Sequence, residues 1–238
     1  MTITIPKVIG HRGAAGYAPE NTLASIRKAA ELGARWVEFD VMLSQDEVPI
    51  LMHDDTLNRT TNDQGPTFKK TLSDLKKLDA GSWFDESFVG EAVPTLKEAL
   101  ALTDLLGIGC NVEVKPMPGN HAQIASAVTE VIKGSKTSVA ILISSFSEAV
   151  IESLYRDLSE TPKALLVEKI PDDWRSKLQK WDCVSLNCNH KHLTQEQANT
   201  IKRAGYQLLC YTVNEPESAA SLFGWGVDTI FSDYPDRV

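Results

Sequence analysis

The chain has 238 residues, 42% of them hydrophobic, which is enough for a substantial core and argues against intrinsic disorder. Twenty-four Lys and Arg against 32 Asp and Glu give a net charge of -8, which disfavours non-specific attachment to nucleic acid or to an anionic membrane. Any phosphate site is therefore expected to be local.

From the N-terminus onward, short β-branched runs alternate with helical patterns, the signature of repeated strand-helix units with parallel strands. Strands are expected at residues 7–10, 36–43, 110–115, 139–143, 163–167, 183–187, 207–213 and 228–231. Helices are expected at 21–32, 96–106, 121–132, 147–158, 172–180, 194–204 and 215–223, so that every gap holds one. The first helix shows the quality of the signal: Asn21 or Thr22 can cap it, Leu23, Ile26 and Ala30 share a face, and Gly33 stops it. Ser147, Thr194 and Asn214 stand before later helices as caps. Eight repeats of this size match an α/β fold of the (β/α)8 TIM-barrel type, whose active site gathers at the C-terminal ends of the strands.

One segment breaks the alternation. Residues 48–52 read as a strand only a few residues after the second, too soon for a parallel crossover. A hairpin turning at Gln45-Asp46-Glu47 accounts for it and carries His53 back towards the second strand. Residues 54–93 then form an insertion on the catalytic face, with a turn at Asn62-Asp63-Gln64-Gly65-Pro66 and a short helix at 73–78, and read as a lid or specificity element. The whole of residues 1–238 is expected to form a single barrel domain.

The chemistry-bearing residues concentrate early. In Trp36-Val37-Glu38-Phe39-Asp40-Val41, Glu38 and Asp40 share one face of a strand and Val37, Phe39 and Val41 the other. Unpaired carboxylates facing a barrel interior would be costly to ionise, and a metal ion resolves that cost. With Glu113, in Asn111-Val112-Glu113-Val114-Lys115-Pro116, they form a three-carboxylate set that favours Mg²⁺, with Ca²⁺ as the second choice. His11 and His53 flank the acidic pair and suit a general acid and base. Arg12 and Lys115 suit phosphate oxygens, although a lysine at a barrel strand end is also where a Schiff-base aldolase places its nucleophile. Glu20 and Asn21 either orient His11 and Arg12 or simply start a helix. The four cysteines, Cys110, Cys183, Cys188 and Cys210, lack a Cys-x-x-Cys pair and read as buried reduced thiols.

Together these residues resemble the glycerophosphodiester phosphodiesterase family, in its cytoplasmic bacterial form. The resemblance rests on Gly10-His11-Arg12-Gly13, Pro19-Glu20-Asn21-Thr22, Glu38-Phe39-Asp40-Val41, His53-Asp54 with Leu57-Asn58-Arg59-Thr60-Thr61, Leu78-Asp79-Ala80-Gly81-Ser82-Trp83-Phe84, Pro94-Thr95-Leu96, Asn111-Val112-Glu113-Val114-Lys115, Val227-Asp228 and Ser232-Asp233-Tyr234-Pro235. It departs at Tyr211, where the family often has tryptophan. What it implies is a barrel, a divalent cation, and hydrolysis of glycerophosphodiesters such as glycerophosphocholine and glycerophosphoethanolamine to sn-glycerol 3-phosphate and an alcohol, in glycerol and lipid metabolism. The rival expectations are a lysophospholipase D-like enzyme on lipid substrates and the aldolase using Lys115. The expected partner is a small-molecule diester, with no nucleic acid, no stable membrane association, and a homodimer left open. Lacking a secretory pattern before Gly10 and any run near the roughly 18 apolar residues that span a bilayer, the chain is expected in the cytoplasm.

Overall fold

Eight parallel strands close on themselves in the computed structural model, which describes residues 3–238: β1 (Val8–Gly10), β2 (Trp36–Leu43), β4 (Gly109–Val114), β5 (Ile141–Ser145), β6 (Lys163–Val167), β7 (Ser185–Asn189), β8 (Gln207–Tyr211) and β9 (Thr229–Ser232). Each pairs with the next, and β1 pairs with both β9 and β2, completing a TIM barrel. The ninth strand, β3 (Pro49–Leu51), is antiparallel to β2, with Val41 opposite Leu51. It is the return arm of the expected hairpin.

The crossover helices are α1 (Leu23–Glu31), α3 (Leu96–Leu106), α4 (His121–Gly134), α5 (Glu148–Asp157), α6 (Trp174–Lys180), α7 (Gln195–Arg203) and α8 (Pro216–Gly224), with α2 (Leu72–Leu75) inside the insertion. Thr22, Ser147 and Thr194 accept hydrogen bonds at the N-termini of α1, α5 and α7, each satisfying a backbone donor that the helix cannot. Asn214 does not cap α8. Pro216 opens that helix without a side-chain cap, and Asn214 bonds Asp233 and Ser232 instead. The short helix also begins earlier than expected, because Thr71 caps it at Leu72. No helix follows β9 among the described residues.

Strand alternation sorts the core into two layers. Val37, Phe39 and Val41 face outward into a cluster with Ile26 and Ala29 of α1 and Leu96 and Ala99 of α3, each burial contributing about 1.5–3 kcal/mol. Inside the barrel, Ile9, Trp36, Leu142, Ala164, Leu209 and Phe231 form an apolar plug. Trp36 lies beside Gly109 on β4, where a Cβ would stand 2.3 Å from the indole ring; only glycine leaves room for it. Above this plug, towards the C-terminal strand ends, the inward face changes to Glu38 and Asp40. The insertion packs on the hairpin through Leu57, Leu75, Ala80 and Val93 against Met42, Ile50 and Met52. All four cysteines are buried and unpaired. No helix among the described residues is long and apolar enough to cross a membrane.

Candidate active site

The inward face of β2 and its neighbour β4 places three carboxylates together. Glu38 lies opposite Asn111, and Asp40 opposite Glu113. Ligand oxygens of Glu38, Asp40 and Glu113 lie within 4.8 Å of one another. Like charges directly across a strand pair repel, and burial in the barrel adds to the cost. Burial, with the charges of Asp40 and Glu113, raises the Glu38 carboxyl well above its usual range. Burial and Asp40 raise Glu113 to about 8. Asp40 goes the other way: burial would raise it, but Arg12, Lys115 and His53 outweigh burial and hold it low.

Glu38 Oε1 is buried without a hydrogen-bond partner. A divalent cation would supply what that oxygen lacks and relieve the repulsion, so the donor set fits a hard metal with oxygen ligands. Asn111 Oδ1 is also buried and unpartnered, in the same cavity.

The turn after β1 brings in the cations. Arg12 adopts a left-handed backbone, φ 50°, and its N–H donates to Glu38 Oε2 at 2.9 Å. The next residue, Gly13, has φ 89° and runs so close to α1 that a Cβ would lie 2.4 Å from Ser25 Oγ. The turn therefore cannot take another residue there without moving the helix. Arg12 Nε stands 3.4 Å from Asp40 Oδ2 and Lys115 Nζ 3.5 Å from Asp40 Oδ1. Asn21 holds Asp40 from the other side, donating from Nδ2 to Oδ2 at 2.8 Å and accepting from the Asp40 N–H at 3.0 Å.

Each histidine is held by a carboxylate. His11 Nδ1 lies 2.7 Å from Asp233 Oδ1, and His53 Nδ1 lies 2.6 Å from Asp54 Oδ1. An ionised carboxylate can only accept, so Nδ1 carries the hydrogen in both rings and Nε2 is left for the cavity. Burial would raise Asp233, but His11, Asn214 and Arg12 hold it below its usual range. The hydrogen bond from Arg59 leads the lowering of Asp54. Burial lowers His53, partly opposed by Asp40.

All seven residues singled out from the sequence, His11, Arg12, Glu38, Asp40, His53, Glu113 and Lys115, line one cavity of about 140 Å³ with Asn111, Phe146, Leu166, Tyr211, Thr212 and Phe231. His190 and His192 lie outside it, in the turn after β7. Asp233 was given no part in the site from sequence, and Asn214 was read only as a helix cap, whereas the two hold each other behind His11. Asp233 belongs to a family motif, but nothing local ties it to His11, 222 residues away.

A model of the glycerophosphoryl diester phosphodiesterase family matches residues 11–237. The chain belongs to that family. Its activity is accordingly that of a glycerophosphodiester phosphodiesterase, a hydrolase of phosphoric diesters. Among solved structures, a phosphodiesterase of Oleispira antarctica in complex with its product sn-glycerol 3-phosphate is 40% identical, with a TM-score of 0.95 over 98% of this chain and 94% of that one. A glycerophosphodiester phosphodiesterase of Bacillus subtilis (strain 168) is 34% identical, the match covering 96% of this chain and 83% of the relative. One from Caldanaerobacter subterraneus subsp. tengcongensis is 33% identical over 97% and 95% of the two chains.

Proposed function

We propose that this enzyme releases sn-glycerol 3-phosphate and an alcohol from small glycerophosphodiesters such as glycerophosphocholine and glycerophosphoethanolamine, with His11 and His53 as its acid-base pair. The observation that carries this reading is the convergence of both carboxylate-held histidines, the acidic triad, Arg12 and Lys115 on one cavity. The product bound to the Oleispira antarctica relative supports the choice of substrate.

In this reading Arg12 and Lys115 bind the non-bridging oxygens of the phosphate. One histidine takes the proton of the attacking hydroxyl through Nε2, and the other gives a proton to the departing alcohol oxygen. Asp233 and Asp54 fix the two rings and stabilise the imidazolium form that each passes through. Glu38, Asp40 and Glu113 would hold a divalent cation, Mg²⁺ being the better fit to a few carboxylates plus phosphate oxygens, and such an ion supplies positive charge against the phosphate. The apolar plug fills the barrel below the site, and residues 54–93 pack on the hairpin that leads into His53, within one domain spanning the chain.

The test is release of sn-glycerol 3-phosphate from glycerophosphocholine with Mg²⁺, with Ca²⁺ and with EDTA, comparing the intact protein with His11→Ala and Glu38→Ala. Metal-dependent release lost in both variants supports the reading. Lysophospholipid hydrolysis without turnover of water-soluble diesters would replace it with a lipid-directed one.

A further inference from the structure

One guanidinium joins the two halves of the site without reaching the cavity. Arg59, from the insertion, donates from Nε to Asp54 Oδ2 at 2.7 Å and from Nη2 to Asp54 Oδ1 at 3.0 Å. On its other edge it donates from Nη1 to Glu20 Oε2 at 2.6 Å and from Nη2 to Glu20 Oε1 at 2.8 Å. The two oxygens that share Nη2 are the ones already in use. Glu20 Oε1 accepts from Arg12 Nη1 at 2.6 Å, and Asp54 Oδ1 is the oxygen facing His53 Nδ1 at 2.6 Å. A single nitrogen therefore links the carboxylate that holds Arg12 to the carboxylate that holds His53.

We propose that Arg59 is a positioning residue that sets the spacing between the phosphate-binding Arg12 and the acid-base His53. The inference rests on the roles given to those two residues above. The chain Arg12, Glu20, Arg59, Asp54 alternates in charge, so each carboxylate has a cation on both sides or a cation and an imidazole. Removing Arg59 leaves Glu20 and Asp54 without the group that aims them, and both Arg12 and the His53 ring gain freedom.

A planar fork is needed for this. Arg59 uses Nε, Nη1 and Nη2 to engage two carboxylates in bidentate fashion from two edges, and a lysine ammonium cannot reproduce that geometry while keeping the charge. Fold stability asks much less of it. The Arg59 side chain is 44% exposed, and in its absence Glu20 keeps Arg12 and Asp54 keeps His53 as partners, so neither carboxylate is left unpaired. Arg59 also belongs to an element that makes no strand of the barrel. Its position there gives residues 54–93 a part in catalysis that requires no movement: the insertion supplies the brace between a residue following β1 and a residue following β3.

The experiment compares the intact enzyme with Arg59→Lys, Arg59→Ala and His53→Ala on glycerophosphocholine with saturating Mg²⁺, reading kcat, KM and Tm. The expected result is a fall in kcat of about tenfold or more in both Arg59 variants, as small displacements of a reacting group cost on the order of 10²-fold, with Tm within a few degrees of the intact protein. Methylguanidinium added to Arg59→Ala should restore part of kcat, since the exposed gap admits a small planar cation, whereas methylammonium should not. A purely structural role would lower Tm and the folded fraction and would show no such selectivity. Turnover within about twofold of the intact enzyme in both Arg59 variants, or a loss that disappears when rates are normalised to folded protein, overturns the proposal. If His53→Ala itself keeps full activity, it is the acid-base assignment that fails instead.

Discussion

Asp233 Oδ1 faces His11 Nδ1 at 2.7 Å while its Oδ2 accepts from Asn214 Nδ2 at 2.7 Å. The Asp233 N–H in turn donates to Asn214 Oδ1 at 2.8 Å, so the carboxylate cannot swing away from the ring. In Asp233→Asn, the amide oxygen stays with Asn214 Nδ2 and the amide NH2 faces His11 Nδ1, so that nitrogen must accept and the tautomer with its hydrogen on the cavity side is favoured. Turnover of glycerophosphocholine should drop by about 10²-fold or more, within the range that a general acid or base supplies, with KM changed much less. Steady-state kinetics decide it. A variant with unchanged kcat would mean that the Asp233 contact does not matter to the chemistry.

Glu38 makes a second prediction, because its carboxyl is pushed up by burial and by Asp40 and Glu113 and its Oε1 has no partner. In Glu38→Gln the neutral amide keeps the shape and removes a group that is costly to charge. In EDTA this variant should melt at or above the Tm of the intact protein. Added Mg²⁺ should raise Tm of the intact protein by several degrees and that of the variant little, since ligand binding stabilises only in proportion to its affinity for the folded state. Thermal melts with and without the ion read both effects. An equal Mg²⁺ response in the two proteins would remove Glu38 from the metal site.

How far such a site can be read from sequence depends on whether its contacts are local. Glu38 and Asp40 were legible because strand side chains repeat every two residues, with Val37, Phe39 and Val41 marking the opposite face. The hairpin was legible because the interval before Pro49 is too short for a crossover, and β3 does pair antiparallel with β2. Strands β5 and β7 were expected about two residues too early. Their true ends carry Ser144, Ser145 and Asn189, polar residues that read as loop but extend the strands because the barrel mouth offers them partners. Ser144 Oγ accepts from Asn111 Nδ2 at 2.9 Å, and Ser145 Oγ donates to the Val114 carbonyl at 2.6 Å. Asn214 was misread for a related reason: an asparagine before a helix is a sound cap by local rules, and only the closure of β9 beside β8 brings Asp233 close enough to claim it. Arg59 likewise meets Glu20 across 39 residues, a distance over which no periodicity speaks.

Asp79 supports the insertion in a way that is open to a pH test. Its Oδ1 accepts the N–H groups of Gly81 and Ser82, each at 2.8 Å, and its Oδ2 accepts that of Gly90 at 2.9 Å. These three backbone donors, Ser82 first, lower its carboxyl to about 2. A carboxyl whose folded value lies below its unfolded one contributes stability that is present above the unfolded value, about 4, and is lost as pH falls through about 2. Asp79→Ala should therefore be less stable than the intact protein at pH 7 by about 1–2 kcal/mol, the low end of the scale for hydrogen bonds to a charged group because this one faces solvent, or roughly 2–8 °C in Tm for a chain of this size. The gap should narrow as pH falls from about 4 towards 2, because the intact protein then loses the same contribution. Urea unfolding of both proteins across that pH range measures it, and a gap that stays constant with pH would show that the three donors are satisfied by something other than the carboxylate charge.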